Sequence, residues 1–207
     1  NAGQTWENVT PNIPEAEFVF RGVTVQPENS DIVYAQGELP YPTIGKSFNL
    51  VQGRIYYSDD GGATWTEITQ NITLNNLVRY VIIHPNDPNT IYASLGIFDR
   101  EAYDSDCTQE PPQQGTGGIL KGVRSGSTWN WTFHDVVDTS DNLADSNVGS
   151  LVMHPTNPNI LLAGAGNVAC SPYLDGGVVH YTGGVFRSPD GGQTWIKTLS
   201  NEIITSV

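Results

Sequence analysis

One eight-residue segment recurs along the chain, and that recurrence limits the fold more than any other feature. Ser58-Asp59-Asp60-Gly61-Gly62-Ala63-Thr64-Trp65 returns as Ser188-Pro189-Asp190-Gly191-Gly192-Gln193-Thr194-Trp195. A headless copy, Asn1-Ala2-Gly3-Gln4-Thr5-Trp6, and a worn one, Ser125-Gly126-Ser127-Thr128-Trp129, stand in phase with them. The four tryptophans follow one another at intervals of about 60 to 65 residues, the size of one supersecondary unit in a repeat architecture.

A second motif keeps the same period. Val23-Thr24-Val25-Gln26-Pro27 leads into Asp31-Ile32-Val33-Tyr34-Ala35. Val81-Ile82-Ile83-His84-Pro85 leads likewise into Thr90-Ile91-Tyr92-Ala93, and Leu151-Val152-Met153-His154-Pro155 into Ile160-Leu161-Leu162-Ala163. In each copy β-branched residues give way to Pro and Asn and then resume, which reads as strand, turn, strand. Adding the strands on either side of the octapeptide gives four per unit. They are expected at 22–26, 31–36, 53–58 and 64–69; at 78–83, 90–95, 118–124 and 129–137; and at 148–153, 160–164, 184–188 and 194–199. The end of an earlier outer strand is expected at 5–8 and the start of a further inner strand at 202–207.

Four-stranded units repeated radially are the blades of a β-propeller, which closes with typically 4–8 of them. The expected fold is therefore all-β: about three blades, 22–69, 78–137 and 148–199, of one larger propeller. Residues 1–9 would end a preceding blade and 202–207 open a following one. The remainder of the ring would come from the same or another chain. Gly 22 and Pro 13 in 207 residues suit a chain of short strands and frequent turns.

In the octapeptide, the serine ends a strand and the aspartate two residues on is placed to accept N–H bonds from its own turn. The glycines supply backbone angles that a side chain resists. Ser58, Asp60, Gly62, Thr64, Trp65 and Ser188, Asp190, Gly192, Thr194, Trp195 are thus read as structural, with the indole packing between sheets.

Binding chemistry is expected on the other edge of the blades. There the second-to-third-strand connections, roughly 37–52, 96–117 and 165–183, are long and mutually different, and length in a loop is itself a functional signal. The candidate ligand-face residues are Glu38 and Tyr41 in the first, Phe98, Asp99, Tyr103 and Asp106 in the second, and Tyr173, Asp175, His180 and Tyr181 in the third. Aromatic faces beside acids suit sugar stacking and hydroxyl recognition, or contacts to protein. Decoration that only packs over the rim is the alternative. Arg21 and Arg79 stand at matching points of two repeats, as do His84 and His154, which points to structural positions.

Lys+Arg 9 against Asp+Glu 22 gives a net charge of −13, so nucleic acid and anionic lipid are poor partners. The longest apolar stretches fall far short of a membrane span. No metal site or cofactor is expected. Ca2+ is left open by Asp138, Asp141 and Asp145, which lack the spacing of an EF-hand loop. Cys107 and Cys170 sit in Gly/Pro-rich polar stretches of consecutive blades; a disulfide between them is expected, with two free thiols or a metal role as the alternatives. A bridge would place the protein outside the cell, at its surface or in another oxidising compartment. Asn8, Asn71 and Asn130 each open an Asn-x-Thr triplet and are glycosylation acceptors in a host with that machinery.

Ser-x-Asp-x-Gly-x-Thr-Trp, with Gly183 to Arg187 before it and His-Pro-x-x-Pro-Asn upstream, resembles the BNR/Asp-box superfamily. The nearest flavours are xyloglucanase-like glycoside hydrolases, sortilin-type receptor propellers and photosystem assembly-factor propellers. The resemblance covers nearly the whole chain and implies the propeller fold. It does not single out an activity, since these families share blades and differ in function. Sialidases also carry such boxes; their arginine triad and tyrosine nucleophile are not matched here. Xyloglucanase-like enzymes use paired aspartates; Asp175-Gly176-Gly177 is loosely similar to one of them and no second acid matches. The expected function is a non-catalytic scaffold for protein or glycan contacts. A segment of a glycoside hydrolase acting on β-glucan or xyloglucan-like polysaccharide is the alternative.

Overall fold

The computed structural model describes residues 3–10, 18–39, 52–74, 76–96, 117–134, 147–171 and 178–200. These residues form twelve strands in three four-stranded antiparallel sheets. The first sheet contains β1 (Val19–Gln26), β2 (Asn29–Leu39), β3 (Gln52–Ser58) and β4 (Thr66–Glu67). The second contains β5 (Val78–Ile83), β6 (Thr90–Leu95), β7 (Gly118–Ser125) and β8 (Thr128–His134). The third contains β9 (Asn147–Met153), β10 (Leu161–Ser171), β11 (Val178–Ser188) and β12 (Ile196–Ser200). Each sheet runs in chain order, so each is a meander of sequential neighbours. This is the blade of an all-β propeller. Among the described residues no helix is long and apolar enough to cross a membrane.

The core lies between the sheets, and strand alternation builds it. On β6, Ile91, Ala93 and Leu95 pack in a cluster with Tyr34, Ile55 and Tyr57 of the first sheet. Tyr92, pointing the other way, joins a second cluster with Leu161, Ala163, Ala165 and Phe186 of the third. All six residues of β6 are buried, because a sheet covers each face of the strand. Residues 90–95, Thr-Ile-Tyr-Ala-Ser-Leu, therefore carry no charge and no strict apolar–polar alternation.

The short turns joining the first two strands of each sheet share one device. Asn29 Oδ1 accepts from Asp31 N (3.1 Å), Asp87 Oδ1 from Asn89 N (3.1 Å) and Asn157 Oδ1 from Asn159 N (3.3 Å). These are Asx turns, which explains the Asn/Asp pattern at each repeat.

Several expected boundaries differ. Residues 5–8 form no strand: a strand needs a paired neighbour, and none of the three sheets includes them. The fourth strand of the first sheet shrinks from 64–69 to two residues, because the serine–aspartate turn occupies 58–64. β2 runs to Leu39, and β10 and β11 extend to Ser171 and back from Val178, so most of 165–183 is a long ladder and not a loop. Gly164, Gly166, Gly183 and Gly184 look like loop formers in isolation, yet here they pair across the two strands.

A feature that no local pattern announces recurs once per sheet. The register of the first strand slips between Phe20 and Gly22, between Val78 and Tyr80, and between Val148 and Ser150. Arg21, Arg79 and Gly149 are the extra residues at these bulges. A bulge re-aims its side chain relative to the strand.

Candidate functional site

The sheets present two different edges. At one edge the turns are bonded to each other: Gly61 N donates to Asp31 O (2.9 Å), Arg124 N to Asn89 O (2.8 Å) and Gly191 N to Asn159 O (2.8 Å). One such bond per sheet ties the first turn to the last, which leaves these backbone groups engaged within the blade.

From serine to threonine, the two full octapeptides close with the same hydrogen bonds at this edge. Asp60 accepts Thr64 N on Oδ1 (2.8 Å) and Thr64 Oγ1 on Oδ2 (2.6 Å), and Ser58 Oγ donates to Oδ1 (2.7 Å). Asp190 repeats this with Thr194 N (2.8 Å), Thr194 Oγ1 (2.6 Å) and Ser188 Oγ (2.9 Å). Gly62 and Gly192 sit at φ +92° and +89°, a region closed to most side chains, and each donates its N–H to the strand-end serine. The threonine donors, with the serine hydroxyl, hold both carboxyls down from the usual 3.8 to about 2. Every carboxylate oxygen is committed to the turn, so neither aspartate is set up as a proton donor.

The tryptophans diverge. Trp195 packs against the seam between the second and third sheets, its Nε1 donating to Gly192 O (3.1 Å). Trp65 instead donates to Val9 O (2.7 Å). Trp129 is buried and stacks on Trp131, centroids 5.5 Å apart. Here the worn octapeptide is a tight hairpin, with Ser125 paired to Thr128 across Gly126 and Ser127. His84 and His154 turn their Nδ1 atoms onto turn N–H groups, Asn86 N (3.3 Å) in one case and Thr156 N (3.3 Å) and Asn157 N (3.2 Å) in the other. Both histidines therefore brace turns.

The opposite edge carries the candidate site. Glu38, placed in a loop by sequence, is the penultimate residue of β2 and is fully buried. Arg21, projecting from the first bulge, donates from Nη2 to Glu38 Oε1 at 2.6 Å and remains one-third exposed. A buried carboxylate needs such a partner, and the bulge is what aims the guanidinium at it. Beside them, Gln36 Nε2 donates to Arg79 O (3.0 Å) at the bulge of the next sheet. Gly22 makes room, since a Cβ there would lie 2.4 Å from the Gln36 amide nitrogen. Asn76 Nδ2 donates to Asn147 Oδ1 (3.2 Å) within the same layer, joining the entries to the second and third sheets.

This arrangement leaves a partly exposed guanidinium as donor, braced from behind by a buried carboxylate. Arg21 and Arg79 were legible as matching repeat positions; their bulges were not. Of the other ligand-face candidates, Tyr41, Phe98, Asp99, Tyr103, Asp106, Tyr173 and Asp175 lie outside the described residues. His180 and Tyr181 fall on β11, opposite Ala169 and Val168, with their side chains outside the described set. Cys107 lies outside it too, and Cys170 is placed only by its backbone, opposite Val179. Asn8, Asn71 and Asn130 are all exposed. Among the described residues no group of three or more His, Cys, Asp or Glu could hold a metal ion, and Asp138, Asp141 and Asp145 lie outside them.

No family profile matches the sequence, and no curated protein does. Solved structures do. A GH74 xyloglucanase from Xanthomonas campestris is 15% identical, with a TM-score of 0.45, over 87% of this chain and 21% of its own. A GH74 enzyme of Niastella koreensis is 20% identical, with a TM-score of 0.45, over 86% of this chain and 29% of its own. An ancestral GH74 enzyme is 18% identical, with a TM-score of 0.44, over 89% of this chain and 24% of its own. The chain thus spans well under a third of the length of the enzymes it matches. The blade assignment stands on the sheet order and on the two seams described above.

Proposed function

We propose that the chain is a run of Asp-box blades from a larger propeller of the BNR type, acting outside the reducing cytosol as a scaffold that binds glycan or protein through the edge bearing the long connections. The observation that carries this reading is the contrast between the two edges. One is closed by the turn-to-turn bonds of every sheet. The other holds the ion pair of Arg21 with buried Glu38 at the end of β2, where the connection to β3 begins. The partly exposed guanidinium of Arg21 supplies N–H donors suited to sugar hydroxyls.

Glycan binding is tested by affinity electrophoresis and calorimetry with xyloglucan, mixed-linkage β-glucan and cellulose oligosaccharides, using Arg21→Ala as the comparison. The reading predicts saturable binding that Arg21→Ala weakens. Absence of binding to all three, with sheets intact by circular dichroism, removes the glycan reading and leaves protein contacts.

A second reading, part of a glycoside hydrolase, is favoured by one observation: Glu38 is a buried carboxylate at the end of β2, just before residues 40–51. Hydrolysis requires two carboxyl groups about 5 to 9.5 Å apart across a cleft. Asp60 and Asp190 do not supply the second, being spent in their turns. Release of reducing ends from xyloglucan, lost in Glu38→Gln, establishes the catalytic reading; unchanged polysaccharide refutes it for this chain.

A further inference from the structure

Each full octapeptide contains a chemically labile link: Asp60 precedes Gly61, and Asp190 precedes Gly191. In such a pair the glycine nitrogen can attack the aspartate Cγ. An N–Cγ bond forms, a carboxyl oxygen leaves as water, and a succinimide ring results. Water then opens the ring at either carbonyl. Attack at Cγ restores aspartate, whereas attack at the former main-chain carbonyl breaks its bond to the glycine nitrogen and leaves isoaspartate. One water leaves and one returns, so no other reagent is needed. Glycine favours closure because no Cβ hinders the approach of its nitrogen.

The turn cannot avoid this pair. Gly61 and Gly191 both have φ +71°, a left-handed backbone that glycine adopts without strain. The aspartate carboxylate, in turn, is what receives Thr64 N and Thr194 N. The folded blade nevertheless holds the two reacting groups on separate partners. The Gly61 N–H donates to Asp31 O at 2.9 Å and the Gly191 N–H to Asn159 O at 2.8 Å, both in the turn between the first two strands. The carboxylates are held by Thr64 and Ser58 in one box and by Thr194 and Ser188 in the other. Those bonds favour the ionised carboxylate, whose oxygen leaves less readily than that of the acid. In the second sheet the same strap runs from Arg124 N to Asn89 O, and Val123 stands where the aspartate would be. The strap therefore belongs to every blade, and the labile pair to the full box alone.

We propose that Asp60-Gly61 and Asp190-Gly191 are sites of spontaneous isomerisation to isoaspartate, suppressed in the folded blade and released when its first turn lets go of its last. Isomerisation then records each opening permanently. The isoaspartate main chain is longer by one carbon, and its carboxylate sits on the α-carbon, so the bonds to the threonine cannot be rebuilt. The inference rests on the turn geometry and not on the glycan reading. Asp175-Gly176 lies outside the described residues.

The test is to incubate the whole chain at neutral pH and body temperature for several weeks, folded and in urea, and to resolve isoaspartate at residues 60 and 190 by electron-transfer mass spectrometry of peptides. Closure through local opening is expected to be slower in the folded protein by on the order of tenfold or more at both sites. Thr64→Val removes the hydroxyl donor from Asp60 while keeping the side-chain shape. It is expected to raise isoaspartate several-fold at residue 60 and not at 190, and Thr194→Val the converse, so each molecule carries its own control. Equal rates folded and in urea overturn the proposal, as do absence of isoaspartate in urea and threonine variants that change neither site. If a threonine variant raises both sites, Ser58→Ala decides, because it takes a different donor from the same carboxylate. A rise confined to residue 60 sustains the proposal, and any other result overturns it.

Discussion

Tyr92 belongs to the second sheet, yet its ring and hydroxyl lie against Gly191 and Gly192 in the serine–aspartate turn of the third. It is 2% exposed and part of the cluster that joins the two sheets. Replacing it with alanine removes an aromatic ring from between two sheets whose backbones are fixed by their own ladders, so the space cannot easily collapse. Large aromatic-to-alanine changes at such sites cost about 3–5 kcal/mol. Against a total stability of roughly 5–15 kcal/mol for a domain, that is a large fraction. Urea unfolding followed by tryptophan fluorescence measures the loss. Tyr80→Ala, on the same sheet but 44% exposed, is the control and should cost under about 1 kcal/mol. Amide exchange then tests the location: Gly191 and Gly192 should lose protection, whereas Gly61 and Gly62 should not. A loss below about 1 kcal/mol for Tyr92→Ala would refute the view that the seams hold the blades together, and so would equal loosening of both turns.

Three further outcomes follow from the geometry. Asp60 and Asp190 titrate near 2 in the folded protein, below the usual 3.8. Their contribution is therefore fully present above about pH 4 and is lost as pH falls through about 2. Carboxyl NMR titration checks the midpoints, and values near 4 would contradict the turn geometry. Arg21→Met leaves Glu38 buried without its guanidinium and should destabilise by about 2–3 kcal/mol at neutral pH. The double change with Glu38→Gln should recover part of that loss, and purely additive effects would argue against the ion pair. Gly122→Ala would put a Cβ 2.4 Å from the Trp131 ring, so it should cost about 1–3 kcal/mol and shift the tryptophan emission; an unchanged spectrum and stability would show that the ring moves freely.

Sequence alone determined the parts that depend on neighbours along the chain. Val, Ile and Tyr alternate with Asn-Pro and Gly-Gly turns because β-branched residues suit a pleated backbone and the turn formers bond to their own main chain. The repeat period and nearly every strand were therefore readable. So was the commitment of Asp60 and Asp190 to their turns, since Ser58, Thr64 and their counterparts lie within four residues. Tertiary structure alone decided what depends on partners far away in sequence. Gly164, Gly166, Gly183 and Gly184 became strand because the two segments pair with each other. Arg21 reached Glu38 because a register slip against β2 re-aimed it, and Glu38 was buried because the second sheet closes over the first. The two sides of β6 were assigned to different cores by the sheets on either side, and no residue within 90–95 carries that information.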